Sequence, residues 1–64
     1  MSDLTNDRFI RIPEVISLTG YKRAMIYVMM KRGEFPKQRR IGPGCVVWLE
    51  SEVRGWMSDR LAAA

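Results

Sequence analysis

Apolar positions along the chain fall into five segments, punctuated by glycine and proline. "FIRI", Phe9 to Ile12, alternates apolar and basic side chains. That period of two predicts a short half-buried strand. "IPEVISLTG" then changes to helical spacing. Pro13 suits a first helical turn, Glu14 complements its positive end, and Gly20 suits a left-handed exit. A short helix is expected from Pro13 to Thr19, with Val15, Ile16 and Leu18 turned inward. A second helix is expected from Lys22 to Arg32. At ~100° per residue, Met25, Ile26, Met29 and Met30 fall on one side, and Arg23, Ala24, Tyr27, Val28 and Lys31 on the other. Gly33 ends this helix and Pro36 prevents its return. The intervening turn, Gly20 and Tyr21 with Thr19, has the length of a helix-turn-helix connection.

"PKQRRIGPGCVVWLE" reads as a β-hairpin. Lys37 to Ile41 is extended, Gly42-Pro43-Gly44 is the tip, and Cys45 to Leu49 is β-branched and aromatic. Val46 and Trp48 share one face and are expected to pack on the helices. Cys45, Val47 and Leu49 share the other. The last element, "ESEVRGWMSDRL", is a helix with acidic and hydroxyl residues at its start and a stripe of Val53, Trp56, Met57 and Leu61. Gly55 inside it costs roughly 1 kcal/mol relative to Ala, and close packing against a neighbour is the expected reason for it. Met1 to Asp7 reads as a flexible leader, residues 8–61 as one domain, and Ala62 to Ala64 as a frayed tail. The expected fold is mainly α with a small β-hairpin, a single winged helix-turn-helix domain.

Charge changes the picture more than composition does. The chain has 64 residues, with eleven Lys and Arg against seven Asp and Glu, for a net charge of +4. The total alone fits a basic soluble protein equally well. The distribution is more telling. From Tyr21 to Arg40 stand Lys22, Arg23, Lys31, Arg32, Lys37, Arg39 and Arg40, with Glu34 as the one acid. The outer side of the second helix is therefore purely basic, and it shows Ala24, Tyr27 and Val28, which solubility would not select. Such a helix fits the major groove, ~12 Å wide. Arg23 suits a bidentate pair with guanine, Ala24 and Val28 suit thymine methyls, and Tyr27 and Lys31 suit phosphates. Lys22 adds positive charge at the same end. In the hairpin, Lys37, Arg39 and Arg40 with the flexible tip fit a phosphate backbone or a minor groove, and equally an edge strand whose charge blocks aggregation.

Other chemistry is thinly represented. There is no His, and Cys45 is the single Cys, so neither a disulfide nor a zinc site can be assembled. No Gly-rich phosphate loop or acid/base pair appears, because Glu50 and Glu52 point different ways from a helix start. The methionines read as core filler and the tryptophans as core anchors. The chain is read as a non-enzyme without metal or cofactor. The polar, acidic start "MSDLTND" is unlike a signal peptide, no apolar run approaches ~20 residues, and a lone Cys fits a reducing compartment. A cytoplasmic, bacterial protein without a membrane partner is expected.

These residues resemble a known family. "TG" at Thr19-Gly20, Arg23, "IY" at Ile26-Tyr27, "G-x-FPK" at Gly33 to Lys37, "IG" at Ile41-Gly42, Trp48, and Val53 with Trp56 stand in the order and spacing of the AlpA family of small prophage regulators. That family is related to excisionases and to MerR-like winged helix-turn-helix proteins. The resemblance spans Arg8 to Arg60. It implies a regulator of a prophage or integrated element that binds double-stranded DNA, with Arg23, Tyr27 and Lys31 in the major groove and Lys37 and Arg40 in the wing. Four positions depart from the family pattern. Lys22 replaces a small hydroxyl cap, Met25 stands where Thr or Ser is common, Val28 replaces an often basic residue, and Arg39 an apolar one. An excisionase that bends DNA beside a recombinase is the alternative. A protein-docking antitoxin or anti-repressor is a third reading. So small a module is expected to act as a homodimer or cooperatively on repeated half-sites.

Overall fold

In a computed structural model, residues 7–64 are described. The order of elements is β1 (Phe9–Ile10), α1 (Ile12–Thr19), α2 (Arg23–Lys31), β2 (Arg39–Gly42), β3 (Cys45–Leu49) and α3 (Glu50–Ala63). The expected strand over Phe9–Ile12 is cut short because α1 begins at Ile12. Pro13 sits in its first turn, where a missing N–H costs nothing. Gly20 closes α1 at φ 79°, its N–H donating to the Ile16 carbonyl at 2.8 Å. α2 ends as Gly33 at φ 74° donates to the Met30 carbonyl (3.0 Å) and Glu34 to the Met29 carbonyl (2.8 Å). This pair of bonds is the Schellman arrangement, which satisfies the last carbonyls and turns the chain away. At the other end, Lys22 provides no side-chain cap, as its lack of an acceptor dictates.

The hairpin is part of a larger sheet. β1 and β2 both pair antiparallel with β3, in the order β1-β3-β2. Phe9 faces Leu49 and Ile10 faces Trp48, while Arg39 faces Val47 and Arg40 faces Val46. Pro43 and Gly44 occupy the turn, with Gly44 at φ 66°. Proline followed by a positive-φ glycine is the type II combination. The register is irregular between Arg40 and Gly42, so Ile41 is left without a partner in the ladder.

One core holds the elements together: Ile10, Val15, Ile26, Met29, Phe35, Trp48 and Val53. Four expectations need correction. Met25 was placed on the core side of α2 but is 44% exposed, because Ile26 and Met29 with half-buried Met30 already fill that interface. Val46 shares the Trp48 face but is only half-buried, whereas Val47, on the opposite face across from Arg39, is almost fully covered. Leu61 is 77% exposed and does not join the α3 stripe. Gly55 has no close neighbour at all: a Cβ built there meets nothing within 4 Å. α3 continues through Ala63.

The first described residues fasten the helices to each other. Arg8 donates from Nε to Glu50 at 3.0 Å and from Nη2 to Glu14 at 2.9 Å, so it bridges the starts of α1 and α3. Arg54 also reaches Glu50, at 3.1 Å. Asp7, grouped by sequence with the leader, accepts from the Ser51 N–H (3.0 Å) and hydroxyl (2.7 Å). It therefore does for α3 what a local N-cap residue would do. The remainder of the leader, residues 1–6, lies outside the described residues.

Two predictions follow from this packing. Gly55→Ala raises stability by about 1 kcal/mol, since the helix gains propensity and no atom is displaced. Chemical unfolding measures it, and a loss of stability would show an uncharted contact. The second concerns acid. The bonds from Ser51 lower the Asp7 carboxyl below its ordinary range, and those from Arg8 and Arg54 lower Glu50. A depressed folded-state value means stability that is full above the unfolded value and is lost as pH falls through the folded one. Thermal midpoints should therefore drop below the usual carboxylate range, and Asp7→Asn should make that drop smaller.

Candidate nucleic-acid interface

The outer side of α2 is built by subtraction: Ile26, Met29 and half-buried Met30 are taken by the core, and the other side chains form its outer side. Lys22, Arg23, Ala24, Val28 and Lys31 are exposed, and Tyr27 is half-buried. Arg23 lies with its guanidinium carbon 5.9 Å from the centre of the Tyr27 ring. Its charge is thus held near an aromatic face at the first turn of the helix. Met25, which periodicity had assigned to the core, shows at the edge of this same side.

In the hairpin, Lys37 and Arg40 are exposed. Arg39 behaves differently. Its Nη2 donates to Glu52 of α3 at 2.7 Å, so its charge is engaged within the fold. The strand alternation explains this. Arg39 and Arg40 point to opposite faces of the sheet, and the face of Arg39 carries Val47. Ile41, at the irregular position before the tip, is 50% exposed. The sequence reading placed it in the "IG" motif but gave it no role at the site. The signal available was its place beside "GPG", where a regular ladder breaks.

Ion pairing separates the surface into two kinds. Among the described residues, the salt bridges join Arg8, Arg39 and Arg54 to Glu14, Glu50 and Glu52. Lys22, Arg23, Lys31, Lys37 and Arg40 belong to none of them. Compensated charge lies just before β1, at the starts of α1 and α3, and at Arg39 of β2. Five cations unpaired among the described residues stand together on α2 and the hairpin, and Arg11, Arg32 and Arg60 also belong to none of these salt bridges.

What relates α2 to the hairpin is the connection between them. Phe35 is buried, and its ring meets Trp56 edge-on at 4.8 Å. The Trp56 indole donates to the Glu34 carbonyl at 2.6 Å, and the Trp48 indole donates to the Pro36 carbonyl at 3.0 Å. Trp56 also meets Tyr21 at 5.9 Å, so the turn before α2 and the segment after it rest on one side chain. Beside this segment runs an open groove of about 680 Å³, lined by Glu34, Lys37, Arg39, Glu52, Gly55 and Trp56 among others. Its mixed charges are unlike an anion site. Cys45 lies half-buried with its sulfur 2.9 Å from Arg11 Nη2. No set of three metal-ligating side chains comes together among the described residues. No helix of the described chain is long and apolar enough to cross a membrane.

A two-helix unit with a tight glycine turn, followed by a basic hairpin and packed on a third helix, defines a small winged helix-like domain. The family model described as prophage CP4-57 regulatory protein (AlpA) matches residues 8–61, and the chain belongs to that family. It is 47% identical over 62 residues to "Uncharacterized protein ORF88" of Enterobacteria phage P4, covering 97% of this chain and 70% of that protein. It is 36% identical over 66 residues to "DNA-binding transcriptional activator AlpA" of Escherichia coli (strain K12), covering 94% of each. No solved structure matches the chain.

The two indole bonds differ in burial, and that sets a test. Trp48→Phe leaves the Pro36 carbonyl without its partner in a covered site and costs about 1–3 kcal/mol. Trp56→Phe costs less, because water can replace the donor at the exposed Glu34 carbonyl. Urea unfolding of the two variants measures the order, and a reversed order would refute this account of the connection.

Proposed function

We propose that the protein is a sequence-specific double-stranded-DNA-binding regulator of a prophage or integrated element, with α2 in the major groove and the β2–β3 hairpin as a wing. The observation that carries this reading is the segregation of charge. Lys22, Arg23, Lys31, Lys37 and Arg40 lack carboxylate partners among the described residues, while Arg8 and Arg54 are paired away from this side and, within the hairpin, Arg39 alone is paired, to Glu52. A polyanion that releases counterions on binding rewards such an arrangement, and an ordinary wet surface does not require it. The DNA-binding activator of Escherichia coli to which the chain is similar supports the same reading.

The roles divide by reach. Arg23, in the first turn of α2, pairs with a guanine edge, and Ala24 and Val28 meet thymine methyls. Lys22, Tyr27 and Lys31 hold phosphates on either side, and Lys37 and Arg40 hold the backbone from the wing. Arg39 braces the wing against α3 through Glu52. One domain of this size makes few contacts, so two copies act together. Half-sites on one face of the duplex would lie ~10 base pairs apart or a multiple of that.

Two variants separate reading from holding. Arg23→Ala relaxes base preference and costs about 1–3 kcal/mol on the preferred duplex. Equal losses on preferred and random duplex would remove Arg23 from base recognition. Arg40→Ala weakens binding evenly and flattens the salt dependence by about one unit. Titrations across a salt series measure both. Absence of binding to any duplex at low salt would overturn the whole proposal.

A further inference from the structure

Three apolar side chains form a continuous strip on the outer side of α2. Met25 is 44% exposed and Val28 42% exposed, and Ala24 is exposed beside them. Met25 and Val28 are three residues apart, and Ala24 and Val28 four, so each pair is adjacent on a helix surface. The core does not use them: the buried residues of α2 are Ile26 and Met29. Exposed apolar surface of this kind costs solubility and marks a binding site when it is continuous. Its flanks define the partner. Lys22, Arg23 and Lys31 surround the strip, and α2 contains no acid.

We infer that Met25 is a fourth base-reading residue, beside Arg23, Ala24 and Val28, and that Ala24, Met25 and Val28 together read C5-methyl groups in the major groove. The inference rests on the proposed function. None of the three side chains can hydrogen-bond strongly to a base edge, so they cannot distinguish bases by donors and acceptors. The one apolar feature that the major groove presents is the thymine C5-methyl. Met25 lies in the first turn of α2, and it is the N-terminal residues of a recognition helix that meet base edges. Its long, unbranched side chain reaches further than Ala24 beside it and adapts its shape to the groove. The cations on either side hold the sugar-phosphate backbone while the strip supplies selectivity for thymine over cytosine.

The test uses the full chain and the tightest duplex that it selects from a random-sequence library. Each thymine within the protected segment is replaced in turn by deoxyuridine, which keeps every donor and acceptor and removes only the methyl. The expected result is a loss of about fourfold at one or more thymines, the value of one buried methyl-sized group. Met25→Gln, a substitution at an exposed site, should weaken binding to the thymine duplex and abolish the uracil penalty at one such position. Val28→Thr, which keeps the shape of the side chain, should reduce the penalty at another. A chain that selects a duplex but is indifferent to uracil everywhere overturns the inference and leaves the proposed function standing. A uracil penalty that Met25→Gln leaves unchanged removes Met25 from the reading. A chain that selects no duplex overturns both, and the strip then becomes a protein-docking face.

Discussion

The two indole N–H groups that hold the chain between α2 and β2 are the constraint on which the rest of this structure depends. A domain of this size buries a small core, and a connecting segment outside regular structure has carbonyls that its own backbone cannot satisfy. Trp48 comes from the central strand and Trp56 from the last helix, and they take the Pro36 and Glu34 carbonyls. Phe35 between them goes into the core. The angle between the second helix and the hairpin is thereby fixed by side chains that belong to neither the helix nor the turn. The proposed two-part binding surface would need that fixity, because each part is small.

Electrostatics follows the same division of labour. The acidic side chains at the starts of α1 and α3 are occupied by Arg8 and Arg54, and Arg39 is drawn back to Glu52. Exposed pairs of this sort add little stability individually. Their effect is on the field. They offset charge at the starts of α1 and α3, while the cations of α2 and the hairpin other than Arg39 stay unpaired among the described residues.

Much of this was legible in the order of residues. The helix from Arg23 to Lys31 and the strand from Cys45 to Leu49 were visible because local signals agree there: glycine exits, a proline that forbids return, and β-branched residues beyond a glycine-proline turn. Features that depend on distant partners were not visible. Nothing in "FIRI" says that it pairs with β3, nor that the strand stops after Ile10. Periodicity put Met25 inward because it counts hydrophobicity, while the true interface is narrower than the apolar arc. Gly55 looked like a packing requirement, yet the space around it is open. Arg39 and Arg40 look alike in sequence, and only strand alternation puts them on opposite faces of the sheet.

The cap that Asp7 places on α3 crosses 44 positions of sequence. A helix normally carries its own start signal and can begin to form as soon as its residues are free to coil. Here Leu49 offers no side-chain cap, and the carboxylate arrives from the opposite end of the chain. The last helix is therefore completed by loop closure and not by local nucleation, and long closures cost entropy before any contact repays it. The α1–α2 pair and the hairpin, made of short-range contacts, can assemble first. The joining of β1 to β3 and the seating of α3 are then expected to come late in folding.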